Sequence, residues 1–344
     1  MKRPGTLLTA MLAPLLFACV ITPAHAQSFR NAGSVGAQFL KIGVGARAMG
    51  MGGAYGAMAG DPTTLAWNPA GIGTIDELEL SAEHTVWVAD MSHNFIGLVV
   101  PITDQFNLAF HTIYLTSGSI EITTIDNPEG TGSFYDVSDI AAGLTSSVRL
   151  TQQLTFALTV KYLEERIYDV TSNGLAADAG AWYETGFRSL AIGFAVSNLG
   201  LDETFYGRSL DVHYTPPAPG EPSVNAELQA QPYGLPLSFR AGGSFDLFEM
   251  FSEPLADHRL ILALDFTQQT DTQERLAVGA EYTYQNFLSL RSGYLFNADE
   301  LSWGLGGGLH VPLSGFKVDF DYAASSLGRF GIGHRVGLCI AFNQ

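Results

Sequence analysis

Few residues in this 344-residue chain are spaced for chemistry. Seven histidines lie beyond residue 30, at His84, His93, His111, His213, His258, His310 and His334. A zinc site needs clustered ligands at short spacings, and no His-x-His or His-Glu-x-x-His string occurs. Asp319 and Asp321 stand two apart, the spacing that puts both on one face of a strand, and paired carboxylates can move protons to and from a substrate. Gly43-Val44-Gly45-Ala46-Arg47-Ala48 fits the G-x-G-x-x-A pattern of a dinucleotide site, and Asp61 follows 18 residues after Gly43. That chemistry needs a strand–helix–strand unit around the glycines, and the sequence nearby has neither the helical period nor the parallel-strand pattern. A Gly-x-Ser-x-Gly nucleophile elbow is absent from the sequence. The residue types therefore predict no enzyme, no metal site and no cofactor.

The elements that would position these residues follow from composition. The chain is 47% hydrophobic but only 15% charged, with 38 glycines, 15 prolines and a net charge of −17. An ordinary soluble domain carries about 25% charged residues. So acidic a chain lacks the Lys/Arg surface that neutralises phosphates, which excludes nucleic acid as a partner, and its apolar and aromatic content excludes disorder. Residues 1–26 read as a secretory signal peptide: Lys2 and Arg3 are the positive end, Leu7 to Val20 is apolar, and Ala24-His25-Ala26 is a small-x-small cleavage site. Leu16-Phe17-Ala18-Cys19 is a looser rival, a lipobox that would lipidate Cys19. Removal of the leader takes the charge from −17 to −19 and leaves Cys339 as the single cysteine, so no intramolecular disulfide is expected. Beyond the leader no run of 18 apolar residues occurs, which excludes a helical membrane protein.

The apolar residues instead recur with period two. Leu154, Phe156, Leu158, Val160 and Tyr162 alternate with Thr155, Ala157, Thr159 and Lys161. Leu276, Val278, Ala280, Tyr282 and Tyr284 alternate with Ala277, Gly279, Glu281 and Thr283, and the chain ends on Val336, Leu338, Ile340 and Phe342 against Arg335, Gly337, Cys339 and Ala341. Successive side chains of a strand point to opposite faces, so each segment has one apolar face and one small or polar face. A soluble sandwich shares that alternation. A Leu/Phe face edged by Tyr, opposite a Gly/Ala/Ser face with scattered charge, is the contrast between lipid and a polar lumen. Segments of about 9–12 residues also suffice to cross a bilayer when tilted.

The pattern predicts an all-β, up-and-down antiparallel transmembrane barrel over 76–344. It has fourteen strands, near 78–88, 94–102, 105–115, 137–148, 153–165, 175–184, 188–198, 236–247, 259–268, 275–284, 287–296, 301–310, 315–323 and 334–342. An even count puts both barrel ends on one side, read as periplasmic, with tight turns there and longer connections (117–135, 168–174, 200–235 and 324–333) on the other side. The proline-rich stretch 200–235 is expected to be irregular surface, either a recognition loop or lid or a plain solvated loop. Inside the barrel, Arg240, Asp265, Glu281, Arg291, Lys317, Asp319, Asp321 and Arg335 are expected to form a lumen charge network. His111 and His310 read as isolated polar groups on the same face.

Residues 27–75 break the alternation. They hold Gly43, Gly45, Gly50, Gly52 and Gly53 among alanines, then Asp61 and Trp67-Asn68-Pro69-Ala70-Gly71. Glycine-dense backbone lets one chain pack closely on another or on a ligand, and a barrel of this width needs a filled lumen or a plug. Arg47, alone among glycines and alanines, is costly to bury unpaired; Asp61, Glu281 and Asp319 are its expected partners.

The string Gly45-Ala46-Arg47-Ala48-Met49-Gly50-Met51-Gly52-Gly53-Ala54-Tyr55, with Asp61 and Trp67-Asn68-Pro69-Ala70-Gly71, resembles the N-terminal signature of the PorV/PorQ family within the wider FadL-like group of outer-membrane proteins. The Asn-Pro-Ala-Gly element is shared with FadL-type transporters generally. The resemblance implies a 14-stranded barrel with an N-terminal hatch built on Gly43, Gly45, Arg47, Gly50, Gly52, Gly53, Asp61, Trp67, Asn68, Pro69 and Gly71. It also implies the outer membrane of a Gram-negative-type cell, with its lipid as surroundings. The PorV/PorQ branch implies a part in type IX secretion, with a translocon and cargo C-terminal domains as partners. The FadL-like alternative is passage of hydrophobic small molecules, for which a continuous apolar pocket between hatch and wall is expected.

Overall fold

A computed structural model describes residues 33–214, 223–251, 255, 257–298 and 300–342. The signal peptide, Cys19 and Pro216, Pro217, Pro219 and Pro222 lie outside the described residues. Period-two patterning gives fourteen long strands: β1 (Leu78–Val86), β2 (Ser92–Thr103), β3 (Phe106–Thr116), β4 (Val137–Arg149), β5 (Leu154–Ile167), β6 (Val170–Glu184), β7 (Ala191–Gly200), β8 (Ser238–Asp246), β9 (His258–Gln269), β10 (Thr272–Tyr284), β11 (Leu288–Phe296), β12 (Trp303–Leu313), β13 (Phe316–Ser326) and β14 (Ile332–Phe342). Every neighbouring pair is antiparallel, and β1 pairs with β14 from Leu78↔Phe342 to Val86↔His334, so the sheet closes into a barrel. Closure leaves no unpaired edge, the condition for a sheet to sit in lipid.

Alternation sorts the side chains cleanly. On β5 the outward Phe156, Leu158, Val160 and Tyr162 are exposed, whereas the inward Ala157, Thr159 and Lys161 are buried. Leu290, Leu305, Phe320 and Val336 continue the exposed apolar band on other strands. Tyr183, Phe187, Tyr284, Phe287, Phe316 and Phe342 are exposed and gather at the end where β1 begins and β14 stops. A lipid-facing apolar band edged by aromatic rings has this arrangement.

Two of the expected longer connections are shorter. β5 and β6 meet in a turn at Tyr168 and Asp169, and β13 and β14 are separated only by 327–331. Polar residues such as Glu165, Arg166, Thr171 and Ser172 pair across the top of β5 and β6. Strands that project beyond the lipid no longer need outward apolar residues, so the alternation ends before the strands do. The 200–235 stretch is not wholly irregular either: Asp211–Tyr214 pairs with Val224–Glu227, and Tyr206–Gly207 adds to the rim of β6. At the opposite end the β8–β9 connection is not tight, and it carries a short helix, Leu247–Phe251. The end holding Leu78 and Phe342 is called the turn end below, and the other the loop end.

The lipid-facing band sets a test. Val160, central on β5 and outward, replaced by Arg should destabilise the barrel by about 2–4 kcal/mol in a bilayer, read as a lowered urea midpoint. Thr159→Ser on the inward face should leave the midpoint within error.

Candidate functional site

The N-terminal segment lies against the inner wall from one end of the barrel to the other. At the loop end Val35 bridges Gly234 in parallel, and the Gly36 N–H donates to the Gly234 carbonyl at 3.0 Å. Glu165 on β5 accepts the Ala37 N–H at 3.1 Å and the Tyr233 hydroxyl at 2.7 Å. Lys41 pairs with Asp271 at 2.8 Å. Glu203 is tied to Tyr233 by a two-way backbone bridge and is buried. Burial first, then the charge of Glu165, raises its carboxyl to about 7.

Further down the lumen the segment forms a one-turn helix, α1 (Ala46–Gly50), and two 3-10 turns, Pro62–Ala66 and Pro69–Thr74. Each 3-10 turn begins at a proline that follows a capping residue, the order that pre-sets φ and satisfies a free N–H. Asp61 accepts the Thr63 N–H at 2.7 Å, and Asn68 accepts the Ala70 N–H at 3.2 Å. Asn68 also donates to the Gly56 carbonyl at 2.8 Å and to Ala181 on β6 at 3.1 Å, so one side chain caps a turn, joins two parts of the segment and ties both to the wall. Trp67 donates its indole N–H to the Val44 carbonyl at 2.9 Å and stacks under the Arg240 guanidinium at 4.6 Å.

The glycines serve close approach of chain to chain. Gly52 has φ +65°, and a Cβ there would sit 2.6 Å from the Tyr294 nitrogen and 2.7 Å from the Gly293 carbonyl carbon. Gly45, at φ +88°, turns the chain into α1 against Thr63. Gly43 lies beside Met49, Gly50 against Gly306 of β12, Gly53 against the Trp67 ring, and Gly71 against Met58 and Thr64. The G-x-G-x-x-A string is thus a packing turn within a barrel and has no strand–helix–strand unit around it.

Wall carboxylates hold this segment through its own backbone and its one central cation. Glu83 accepts the Ala46 N–H at 2.9 Å. Asp265 accepts Tyr55 N–H at 2.8 Å and Gly56 N–H at 2.6 Å, and pairs with Arg240 at 3.1 Å. Arg47 makes a two-bond fork on Glu281, both at 2.8 Å, and lies 3.7 Å from Asp61. The cost of burying the Arg47 guanidinium is offset by this fork on Glu281 together with nearby Asp61. Glu281 also accepts from Arg291 at 2.6 Å, and Arg291 reaches Asp321.

The expected single lumen network is instead three separate groups: Arg47–Glu281–Arg291–Asp321, Arg240–Asp265, and Lys317–Asp319, the last joined to His310 at 2.8 Å. Arg335 stands apart from all three, donating to Ser325 and lying over the Trp87 ring at 5.6 Å. The wall curvature and strand stagger separate charges that sequence alone places on a common face. Asp319, expected as a partner of Arg47, is taken by Lys317 and His310. His310 is therefore not isolated, whereas His111 is buried and stacked on Phe95 at 6.0 Å.

Several anchors were not singled out from sequence: Glu83, Asn107, Arg149, Glu165 and the buried Lys161–Asp178 pair at 2.8 Å. Asn107 donates to the Ile72 and Ile75 carbonyls at 2.7 and 2.8 Å, and Arg149 to the Gly73 carbonyl at 2.5 Å. The available signal was strand parity, since Glu83, Asn107, Lys161, Glu165 and Asp178 fall on the inward face of their strands.

Across the lumen from the charged groups lies an apolar seam. Phe39, Val44, Leu65 and Ile72 of the segment belong to one buried cluster with Phe95, Val99, Ile113 and Leu163 of β2, β3 and β5. The expected continuous apolar pocket is replaced by this contact, packed shut. Beside it is a cavity of about 60 Å³, bordered by Leu40, Ile42 and Ile113 but also by Lys161, Asp178 and Arg240. Ligand pockets run to about 300–1,000 Å³, so the seam admits a ligand only if the segment moves.

No family model matches the chain, and no curated protein sequence does. Solved structures do. The fold is similar to that of the toluene transporter TodX of Pseudomonas putida, at 11% identity and a TM-score of 0.56, over 88% of this chain and 99% of that one. It is similar also to a FadL homologue of Pseudomonas aeruginosa (13%, TM-score 0.53, 87% and 98%) and to the toluene transporter TbuX of Ralstonia pickettii (13%, TM-score 0.50, 87% and 97%). At these identities the likeness is one of fold: a closed 14-stranded antiparallel barrel of the type seen in FadL-like transporters.

The Arg47 fork is testable. Breaking a buried ion pair from one side costs up to about 3–5 kcal/mol, which at 1.4 kcal/mol per decade is a hundredfold or more in local opening. Arg47→Ala should speed proteolysis within 46–60 by that factor while the barrel keeps its heat-modifiable gel mobility. Unchanged cleavage would remove Arg47 as a pin.

Proposed function

We propose that this chain is an outer-membrane transporter of hydrophobic small molecules, with residues 27–75 as the hatch that closes its lumen and both barrel ends periplasmic. The observation that carries the reading is the shut apolar seam between the segment and the β2–β5 wall, in a barrel whose structural likenesses include toluene transporters. A hydrophobic solute gains about 25 cal/mol for each Å² removed from water. A seam lined by Phe39, Val44, Leu65, Phe95 and Ile113 offers such a surface once the segment shifts.

The division of the lumen supports the same reading. On the β8–β14 side the bonds to Asp265 and Glu281 lie beside an apolar cluster that includes Met49, Met51 and Ile261, whereas on the β2–β5 side the apolar seam lies between polar ties at Glu165, Asn107 and Arg149. An apolar solute competes for the seam itself without having to break the Arg47 and Asp265 bonds on the far wall. The PorV/PorQ reading, with a type IX translocon and cargo C-terminal domains as partners, shares the N-terminal motif and expects no apolar pocket, but draws no support from the transporters named above.

Proteoliposomes test the proposal. Purified protein should accelerate uptake of toluene or a comparable apolar solute above protein-free liposomes, and Arg47→Ala should change that rate. Uptake equal to empty liposomes, together with co-purification of a large secretion barrel, would replace transport by the secretion reading.

A further inference from the structure

At the turn end of the lumen, strand register brings together three residues that together span 30 positions of sequence. Ser289 Oγ lies 2.8 Å from His310 Nε2, and His310 Nδ1 lies 2.8 Å from Asp319 Oδ1. His310 and Asp319 are direct cross-strand partners on β12 and β13, and Ser289 on β11 pairs with Gly308 of β12, which sets it diagonal to His310. We propose that Ser289, His310 and Asp319 form a nucleophile–base–orienter relay that hydrolyses short carboxylic esters, an activity separate from transport.

The directions of the hydrogen bonds are fixed by chemistry. A carboxylate only accepts, so the proton between His310 and Asp319 sits on Nδ1. In the neutral ring that leaves Nε2 as an acceptor, and the Ser289 hydroxyl is the group that donates to it. Thr283, 2.9 Å away, then donates its own hydroxyl to the Ser289 oxygen. Lys317 occupies the other carboxylate oxygen of Asp319 at 2.8 Å, leaving Oδ1 to hold the imidazole. The relay Thr283→Ser289→His310→Asp319 has one direction throughout, the arrangement that activates a serine by an adjacent base oriented by a third group.

The relay borders usable space. Ser289, His310 and Asp319 line a cavity of about 330 Å³ at the turn end, where Ser289 is 1% exposed and forms part of the floor. Arg259, Asn286 and Lys317 line it too and are its candidate donors to a developing oxyanion. The volume and the polar lining suit a small acyl group with a polar alcohol, and do not suit the apolar solutes proposed for the seam.

The step balances. Ser289 Oγ bonds to the ester carbonyl carbon as its proton passes to His310 Nε2. The carbon–oxygen bond to the alcohol breaks, and that alcohol leaves with the proton from His310. Water then adds to the acyl-serine, giving one proton to His310, which returns it to Ser289 as the carboxylic acid departs.

The test uses the full barrel in detergent micelles with a fluorophosphonate probe and p-nitrophenyl acetate. Wild type should be labelled at Ser289, located by mass spectrometry, and should hydrolyse the ester. Ser289→Ala should abolish labelling, and His310→Gln should slow both reactions at least about 100-fold, with heat-modifiable mobility retained in each. Asp319→Asn should lower kcat with little change in KM. A folded wild-type barrel that takes no label at Ser289, or hydrolysis that survives Ser289→Ala, overturns the proposal and leaves the three residues as an inward hydrogen-bond chain. Either result is independent of solute uptake.

Discussion

The structure depends on one constraint, which is that backbone placed inside a closed barrel must find its hydrogen bonds there. Residues 46–61 form no strand and only a single helical turn, so many of their N–H groups have no partner within the segment. The wall supplies partners as side chains, Glu83 for Ala46 and Asp265 for Tyr55 and Gly56, while Asn68 of the segment itself caps the turn at Pro69 and donates to the Ala181 backbone carbonyl of β6. Each wall carboxylate brings a negative charge into the lumen, and Arg47, Arg240 and Arg291 offset it. The charged groups of the β8–β14 wall follow from that need, and so do the glycines that let the two backbones meet.

An uneven lumen results. On one side the segment is fixed by geometry-dependent bonds, in which a displacement of an ångström costs most of the interaction. On the other side, between polar ties at Glu165, Asn107 and Arg149, it is held by apolar contact that tolerates exchange of one apolar partner for another. The apolar stretch is the part of the contact that can yield, and it is the physical basis of the transport proposal. The loop-end clamp of Glu165, Tyr233 and Glu203 adds a second fixed point above the seam.

Much of the barrel was legible in sequence because lipid imposes a strict rule: outward residues must be apolar while inward ones need not be. All fourteen strands were placed from that rule, with errors where it lapses. At Glu164–Ser172 the strands rise out of the lipid and the outward residues turn polar, so the turn at Tyr168 and Asp169 was read as a longer loop. Arg47 and its partners Glu281 and Asp61 could be named because a lone buried guanidinium demands carboxylates. Which carboxylates group with which cations was not legible, since that depends on register and stagger. The grouping of Ser289 with His310 and Asp319 was hidden for the same reason, and so was the isolation of Arg335 from the network expected to include it.

Hydrogen exchange of the wild-type barrel, with and without a saturating apolar solute such as toluene, tests the central claim most directly. If the segment yields at the apolar seam, amides of 39–44 and 65–72 should exchange at least tenfold faster with solute, while amides of Leu158 to Tyr162 in the wall and of Tyr55 and Gly56 at Asp265 stay protected. Equal exchange of 39–44 and 65–72 in both conditions, or loosening shared by the wall strands, would contradict the account.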